Sequence, residues 1–531
     1  MTKRITRRQI GGLAVSALAV GALPLSARAA DSTTLVSGFQ LPGNLDPHQV
    51  YDVPMQAMML NTYDNLYRYQ NEPPVIEPWL AESHTVSEDG LSWDFKLRSG
   101  IKFHDGSAMT AEDVVYSFRR VLALGLGPAG AFLKILKPEN VTAPEPLTVR
   151  FKLETSYAPF FAAIPSVCIV NRRVVKAHEK DGDWGKTYVA SNDAGSGPYK
   201  IVSEGYRPLE YLDMEIFDDH FLGWKHNPKP VRKIATRPTK ETSTRVLALL
   251  NGTLDWTDGN LPADQVDQIN ASKVAYVQKD AVMKTFIVRM NNKKAPFDNI
   301  NVRKAFAHAF NYEGFIKEIL AGYATRDPYP QPDTLWGIPK DVKGYTYDLA
   351  KAKEYLAKAV AEGAQIKRPI ELHVQSENEQ SVQGAQLFQS DLAQLGLNVK
   401  VVGNIWSNLT SSTAKPETTP DMWVHWVSTY FVDPENWVGQ MYDSQFHGTW
   451  KASSWYKNDE VDALLRKARG LVKQEERDPL YQAAIRQIMA DCPDVWIYNS
   501  MQLQGINKRV KGRRFCTVGQ GAEVRWITLE G

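Results

Sequence analysis

PWLAESHTVSEDGLSWDFKLRSGIKFHDGSAMTAEDVVYSFRRVL, residues 78–122, is the stretch on which the reading of the fold turns. Trp93, Phe95 and Leu97 alternate with Ser92, Asp94 and Lys96, the period of two that gives a strand one apolar face and one wet face. Gly100 interrupts, Ile101 and Phe103 resume the alternation, and Asp105-Gly106 is a tight-turn dipeptide. Thr110 and Asp113 then stand three apart, ahead of Val114, Val115, Phe118, Val121 and Leu122. That spacing predicts an N-cap and an amphipathic helix. Strand, turn and capped helix are scaffold; none of these residues is arranged for chemistry.

Upstream, residues 1–30 read as an export signal. Arg4, Arg7 and Arg8 precede an apolar stretch over residues 10–25, and Ala27-Arg28-Ala29 places small residues where a signal peptidase reads. The Arg7-Arg8 pair predicts twin-arginine export, with an ordinary secretory signal as the alternative. The stretch is shorter than the roughly 20 residues a bilayer needs, and no Cys stands near the cleavage site. A soluble mature chain is therefore expected. The whole chain carries +2, and loss of residues 1–29 leaves 57 basic against 60 acidic residues, a net −3. That balance carries no footprint for nucleic acid. A chain of 531 residues, 43% hydrophobic, is expected to form two or three domains. Cys168, Cys492 and Cys516 are too few for a disulfide framework or a zinc site, although Cys492 and Cys516 could pair.

Downstream the pattern alternates short apolar strands with amphipathic helices. Strands are expected at residues 33–41, 148–153, 211–216, 254–256, 286–290, 370–374, 397–402 and 422–427, and from residue 495 onward. Helices are expected at residues 239–250, 302–310, 349–360, 382–395, 461–472 and 479–489, with Arg303 and Lys304 facing water. Such alternation, without a low-complexity linker, argues α/β lobes joined by crossing strands.

Motifs for chemistry are wanting. Gly125, Gly127 and Gly130 follow a helix instead of a strand and enclose Pro128, so they read as a helix-ending loop. Gly195-Ser196-Gly197 lacks the spacing of a nucleophile elbow, and Asp218-Asp219-His220 with His226 reads as a solvated turn. No catalytic residue, metal or cofactor is expected. The one local concentration is aromatic. Trp406, Trp423, Trp426, Trp437, Trp450 and Trp455 put six of the 14 tryptophans within fifty residues, and such stiff rings line ligand clefts as well as cores. The period of two sends Trp423 and Trp426 to opposite faces of their strand.

Residues 78–122, taken in order, closely resemble the block shared by family 5 extracellular solute-binding proteins, the dipeptide, oligopeptide and nickel binders of bacterial ABC importers. The likeness continues through Pro296-Phe297-Asp298 with Val302-Arg303, Tyr347-Asp348 with Lys351-Ala352-Lys353, Leu395-Gly396-Leu397, Asp433-Pro434, and Asn458 with Glu460-Val461-Asp462. It runs from about residue 34 to about residue 498. The resemblance implies an α/β, cluster C type II periplasmic binding protein. Lobe 1 would comprise residues 31–75, 190–287 and 500–531, with an extra subdomain at 76–189, and lobe 2 residues 288–499. Strands near residues 288 and 500 would form the hinge. It implies a periplasmic monomer that captures a peptide or other small solute and docks transiently on an ABC permease, without nucleic acid. A secreted hydrolase and a chemoreceptor's binding protein are the alternatives.

The resemblance also carries candidate ligand residues. Phe39, Gln40 and Asn260 align with ligand-facing segments, and Trp406 belongs to the aromatic concentration. Trp426 matches the Trp of a Trp-x-x-Asp pattern whose Asp, in the peptide binders, receives the peptide's free amino group. Here that position is Thr429, followed by Tyr430 and Phe431. A hydroxyl cannot supply the charge that a desolvated ammonium requires, so stacking and neutral hydrogen bonds are expected to hold the ligand.

Overall fold

The computed structural model describes residues 33–530 apart from 240, 260, 377 and 520; the expected export signal and Asn260 lie outside the described residues. The chain opens with β1 (Thr34–Gly38) and leaves at once for a four-stranded antiparallel sheet. This sheet is β2 (Ala81–Val86), β3 (Ser92–Leu97), β4 (Val141–Glu145) and β5 (Thr148–Lys152), in the order β2-β3-β5-β4. Between β3 and β4 lies helix α1 (Ala111–Leu124), whose Thr110 N–H donates to Asp113 Oδ2 at 2.9 Å. The helix ends at Gly125, held at φ 63°, a left-handed conformation that a residue without Cβ adopts without strain. Trp93, Phe95, Leu97, Val114, Phe118 and Val121 form one core with Phe151 and Phe160, so the quoted block is the framework of this subdomain.

The chain returns with β6 (Tyr199–Arg207), β7 (Tyr211–Ile216), β8 (Lys233–Thr236) and β9 (Trp256–Thr257). Val170, Val175 and Val189 pack beneath them with Leu35 and Trp256. Then β10 (Ala275–Met290) runs for 16 residues into the second lobe. There follow α2 (Ile300–Ala309), β11 (Ala324–Arg326), α3 (Leu349–Ala361), β12 (Ile370–Gln375), α4 (Glu379–Ala393), β13 (Val399–Asn404) and β14 (Met422–Val427). Last come α5 (Asp459–Gly470), α6 (Gln474–Asp491) and β15 (Asp494–Asn507), which recrosses to the first lobe. Of these strands, all but the four of the subdomain belong to one sheet of order β13-β12-β14-β10-β15-β9-β1-β8-β7-β6, with β11 on β15; two short two-stranded sheets, Tyr67–Gln70 with Val75–Pro78 and Val510–Lys511 with Thr528–Leu529, stand apart. One face of its second-lobe half is covered by a core that includes Phe286, Phe306 and Phe388, the other by a core that includes Trp437, Tyr481 and Trp496.

Five local expectations are corrected. Ile101 and Phe103 form no strand; only a bridge between Lys102 and Ala108 closes the turn. Arg303 does not face water but is buried, donating to the carbonyls of Phe297, Asp491 and Cys492. Its charge is spent on the carbonyls around the end of α6. Pro479 does not start a helix; it lies inside α6, which begins at Gln474. His220 is no solvated turn residue: it is buried against Asp64 and Arg525, while Asp218 and Asp219 are exposed partners of Arg232 and Lys102. All three cysteines are free and buried, so Cys492 and Cys516 do not pair.

Candidate functional site

Strand direction locates the site. β1 is parallel to β8 and β9, and β9 is antiparallel to β15, as is β10. The carboxyl ends of β1, β8 and β9 therefore point toward the second lobe. β14 is antiparallel to β10 and parallel to β12, which is parallel to β13, so their carboxyl ends point back at the first. Ligands of open α/β sheets sit in the crevice beyond the carboxyl ends of the strands. Two such crevices here face one another across β10 and β15. At the crossing the ladder breaks: Ala281 pairs with Met501 and Thr285 with Asn499, so Val282, Met283 and Lys284 lie opposite Ser500 alone. Extra residues of this kind bend and twist a strand and often adjoin functional sites.

On the first-lobe side, Phe39 follows β1, its ring 5.3 Å from that of Trp256, and Gln40 beside it is exposed. Along β15, Tyr498, Ser500, Gln502 and Gln504 succeed one another at every second position and so share a face. Their polar atoms are poorly satisfied. Both amide atoms of Gln502, Nε2 of Gln504 and Nε1 of Trp256 are buried without a hydrogen-bond partner among the described residues. Gly259 packs so closely that a Cβ there would lie 2.4 Å from Gln502 Nε2. Arg513 ion-pairs with Asp280 and donates to Gln504 Oε1 at 2.9 Å.

On the second-lobe side, β14 carries Trp426 next to its last residue, half-buried against Phe286 at 4.7 Å between ring centres. Lys284 sits over the same indole, its Nζ 5.1 Å from the ring centre. Burial lowers the Lys284 ammonium to about 8. After β14 the chain reaches toward the first lobe. Tyr430 lies 5.9 Å from Tyr51, Phe431 joins the subdomain core, and Val432 N–H donates to Tyr69 Oη at 3.0 Å. Lys451 stands 4.7 Å from the Tyr430 ring centre and donates to Asn436 and Gln440. Burial lowers it to about 7, against a weaker pull from Glu435.

Comparison with known proteins gives this geometry a family. The model for bacterial extracellular solute-binding proteins, family 5 Middle, matches residues 75–449. The chain belongs to that family. Among curated relatives, the probable D,D-dipeptide-binding periplasmic protein DdpA of Escherichia coli (strain K12) is 30% identical over 479 residues, 89% of each chain. Heme-binding protein A of Haemophilus influenzae is 28% identical, over 86% of this chain and 85% of that one. Among solved structures, the periplasmic binding protein DppA of Helicobacter pylori in complex with the peptide STSA superposes with a TM-score of 0.79 at 27% identity, covering 94% of this chain and 98% of that one. The fold is the type II periplasmic binding protein fold of this family.

This family 5 solute-binding protein brings only some of the sequence-predicted residues together. Phe39 and Gln40 line a small cavity of about 30 Å³ beside β1, and Asn260 is outside the described residues. Trp406 and Trp426 do not meet. Trp406, 37% exposed, adjoins Trp423 and Trp450 on one face of β14, while Trp426 packs on the other beside Phe286. Thr429 is buried and donates its hydroxyl to Met283 O in the β10 bulge, so it faces the crossing strand. Sequence reading missed Lys284, Tyr498, Gln502 and Gln504. Their only local signal was polar residues interrupting apolar strand runs. Among the described residues, no group of three or more His, Cys, Asp and Glu could hold a metal ion.

Proposed function

We propose that this protein is the substrate-binding component of an ABC importer, catching a peptide or a solute of similar size between its lobes and handing it to a membrane permease. The carrying observation is the row of buried polar groups that have no partner among the described residues, where the two sets of strand ends face each other across β10 and β15. Buried polar atoms cost free energy unless paired, and a ligand with amide groups would pair them. DdpA and DppA, named above as peptide binders, support this class of solute. The lobes would follow the divisions stated from sequence, with β10 and β15 as hinge, and closing would bury the solute against both. Export by the twin-arginine signal, a periplasmic monomer and transient permease docking complete the reading; ATP hydrolysis belongs to other subunits. The binding act involves no chemistry on the solute.

The test is titration calorimetry with a peptide mixture, followed by mass spectrometry of the solute recovered from the protein. Intact solute and a more compact scattering profile on binding are expected; chemically altered solute would instead make the protein a hydrolase. Trp426→Ala should weaken binding more than about tenfold, as truncated aromatic anchors do.

A further inference from the structure

Three hydrogen-bond donors gather beside the β10 bulge, none of them in a well-formed hydrogen bond among the described residues. Lys284 Nζ has neither a hydrogen bond nor an ion pair among the described residues, only the Trp426 face at 5.1 Å. Among the described residues neither the buried Trp426 indole N–H nor the hydroxyl of Tyr498, a residue only 1% exposed, makes a hydrogen bond of good geometry, although Trp426 and Ser500 both adjoin that hydroxyl. Phe286 holds these rings together, with Trp426 at 4.7 Å on one side and Tyr498 at 5.0 Å on the other. Lys284 precedes Phe286 by two residues and Phe286 pairs directly with both Trp426 and Tyr498, so the donors come from three adjacent strands. Burial is the sole cause that displaces the Lys284 ammonium, and no carboxylate acts on it. A fold with no use for an unpaired cation would replace it by an apolar residue, because desolvating a charge without a counter-charge is costly.

We propose that the solute carries a carboxylate and that Lys284, Trp426 and Tyr498 receive it. This assignment rests on the solute-binding reading above and sharpens it. An ammonium, an indole N–H and a phenol hydroxyl offer donors and no counter-charge, which suits an anionic acceptor. Thr429, just beyond Trp426, offers no competing charge, and its hydroxyl already donates to Met283 O. Four positions along β15, about 13 Å at strand rise, separate Tyr498 from Gln502, whose unpaired amide both donates and accepts. Carboxylate at one end and amides along the row describe a short peptide-like acid engaged by its acid end.

Calorimetry of N-acetyl-trialanine against its C-terminal amide tests this with the full mature chain. The acid should bind at least about tenfold more tightly than the amide, Lys284→Met should erase that difference, and Lys284→Arg should retain much of it. Unliganded Lys284→Met should also melt at a higher temperature, since it removes an unpaired buried charge, which excludes misfolding as the cause of lost binding. Equal affinity for acid and amide, an unaffected Lys284→Met, or no binding of either peptide overturns the assignment. Solutes from the peptide mixture that still bind in that case leave the solute-binding reading standing; their absence as well would remove both.

Discussion

At the scale of single residues, Asp64 shows how much a fully buried charge can organise. Its carboxylate accepts from Trp79 Nε1 at 2.7 Å and Ser196 Oγ at 2.9 Å, with His220 at 3.4 Å and Arg68 at 3.5 Å. Burial alone would raise its pKa, but His220, Arg68 and Trp79 outweigh burial and hold it at about 2. A carboxyl lowered on folding stabilises the protein fully above its unfolded value near 4 and loses that contribution as pH falls toward 2. A shift of this size corresponds to about 2 kcal/mol. The gap in urea midpoint between wild type and Asp64→Asn should therefore be widest at pH 5–7 and shrink steadily below pH 4. A gap that does not change with pH would mean the carboxylate is not ionised by these partners. Little of this was legible in Tyr63-Asp64-Asn65-Leu66: Arg68 is four residues on, but Trp79, Ser196 and His220 come from farther along the chain. Arg303 teaches the same lesson: a cation on an amphipathic helix reads as solvated until the carbonyls it caps are folded beside it.

At the scale of elements, short strands and capped helices followed sequence closely, and the crossing strands did not. Met422–Val427 matched its pattern to the residue, since both faces are covered by core. β10 was marked as a strand only from Phe286 onward, where a short, mostly apolar run is buried throughout. Its first eleven residues include Lys279, Asp280 and Lys284, and they pass through the crossing, where no continuous core imposes a period. The bulge is fastened from both lobes: Thr517 Oγ1 accepts from Met283 N–H at 2.9 Å, and Thr429 donates to Met283 O. Thr429→Val leaves that carbonyl without its partner and should cost about 1 kcal/mol in urea unfolding. Amide hydrogen exchange at residues 282–285 should quicken in the variant. Unchanged exchange there would show that Thr429 does not secure the bulge.

At the scale of the whole molecule, the lobes meet through residues that local pattern could not assign. Phe431 leaves the second lobe and is buried in the subdomain core, and Ala158 N–H donates to Arg469 O at 2.9 Å nearby. Phe431→Ala should loosen this contact and favour an open arrangement, seen as a larger radius of gyration of the unliganded protein in solution scattering and weaker solute binding. A radius of gyration equal to that of wild type would argue that Phe431 only packs the subdomain. By itself the sequence determined the family, the subdomain scaffold and most strands and helices, because caps, turns and periodicity are decided among neighbouring residues. Only the tertiary structure decided which polar groups share the crevice. Lys284, Trp426 and Tyr498 meet through strand pairing across three distant segments, and whether a buried donor lacks a partner depends on every surrounding element at once. The block at residues 78–122 identifies the scaffold, while the groups that would select the solute lie where the two lobes cross.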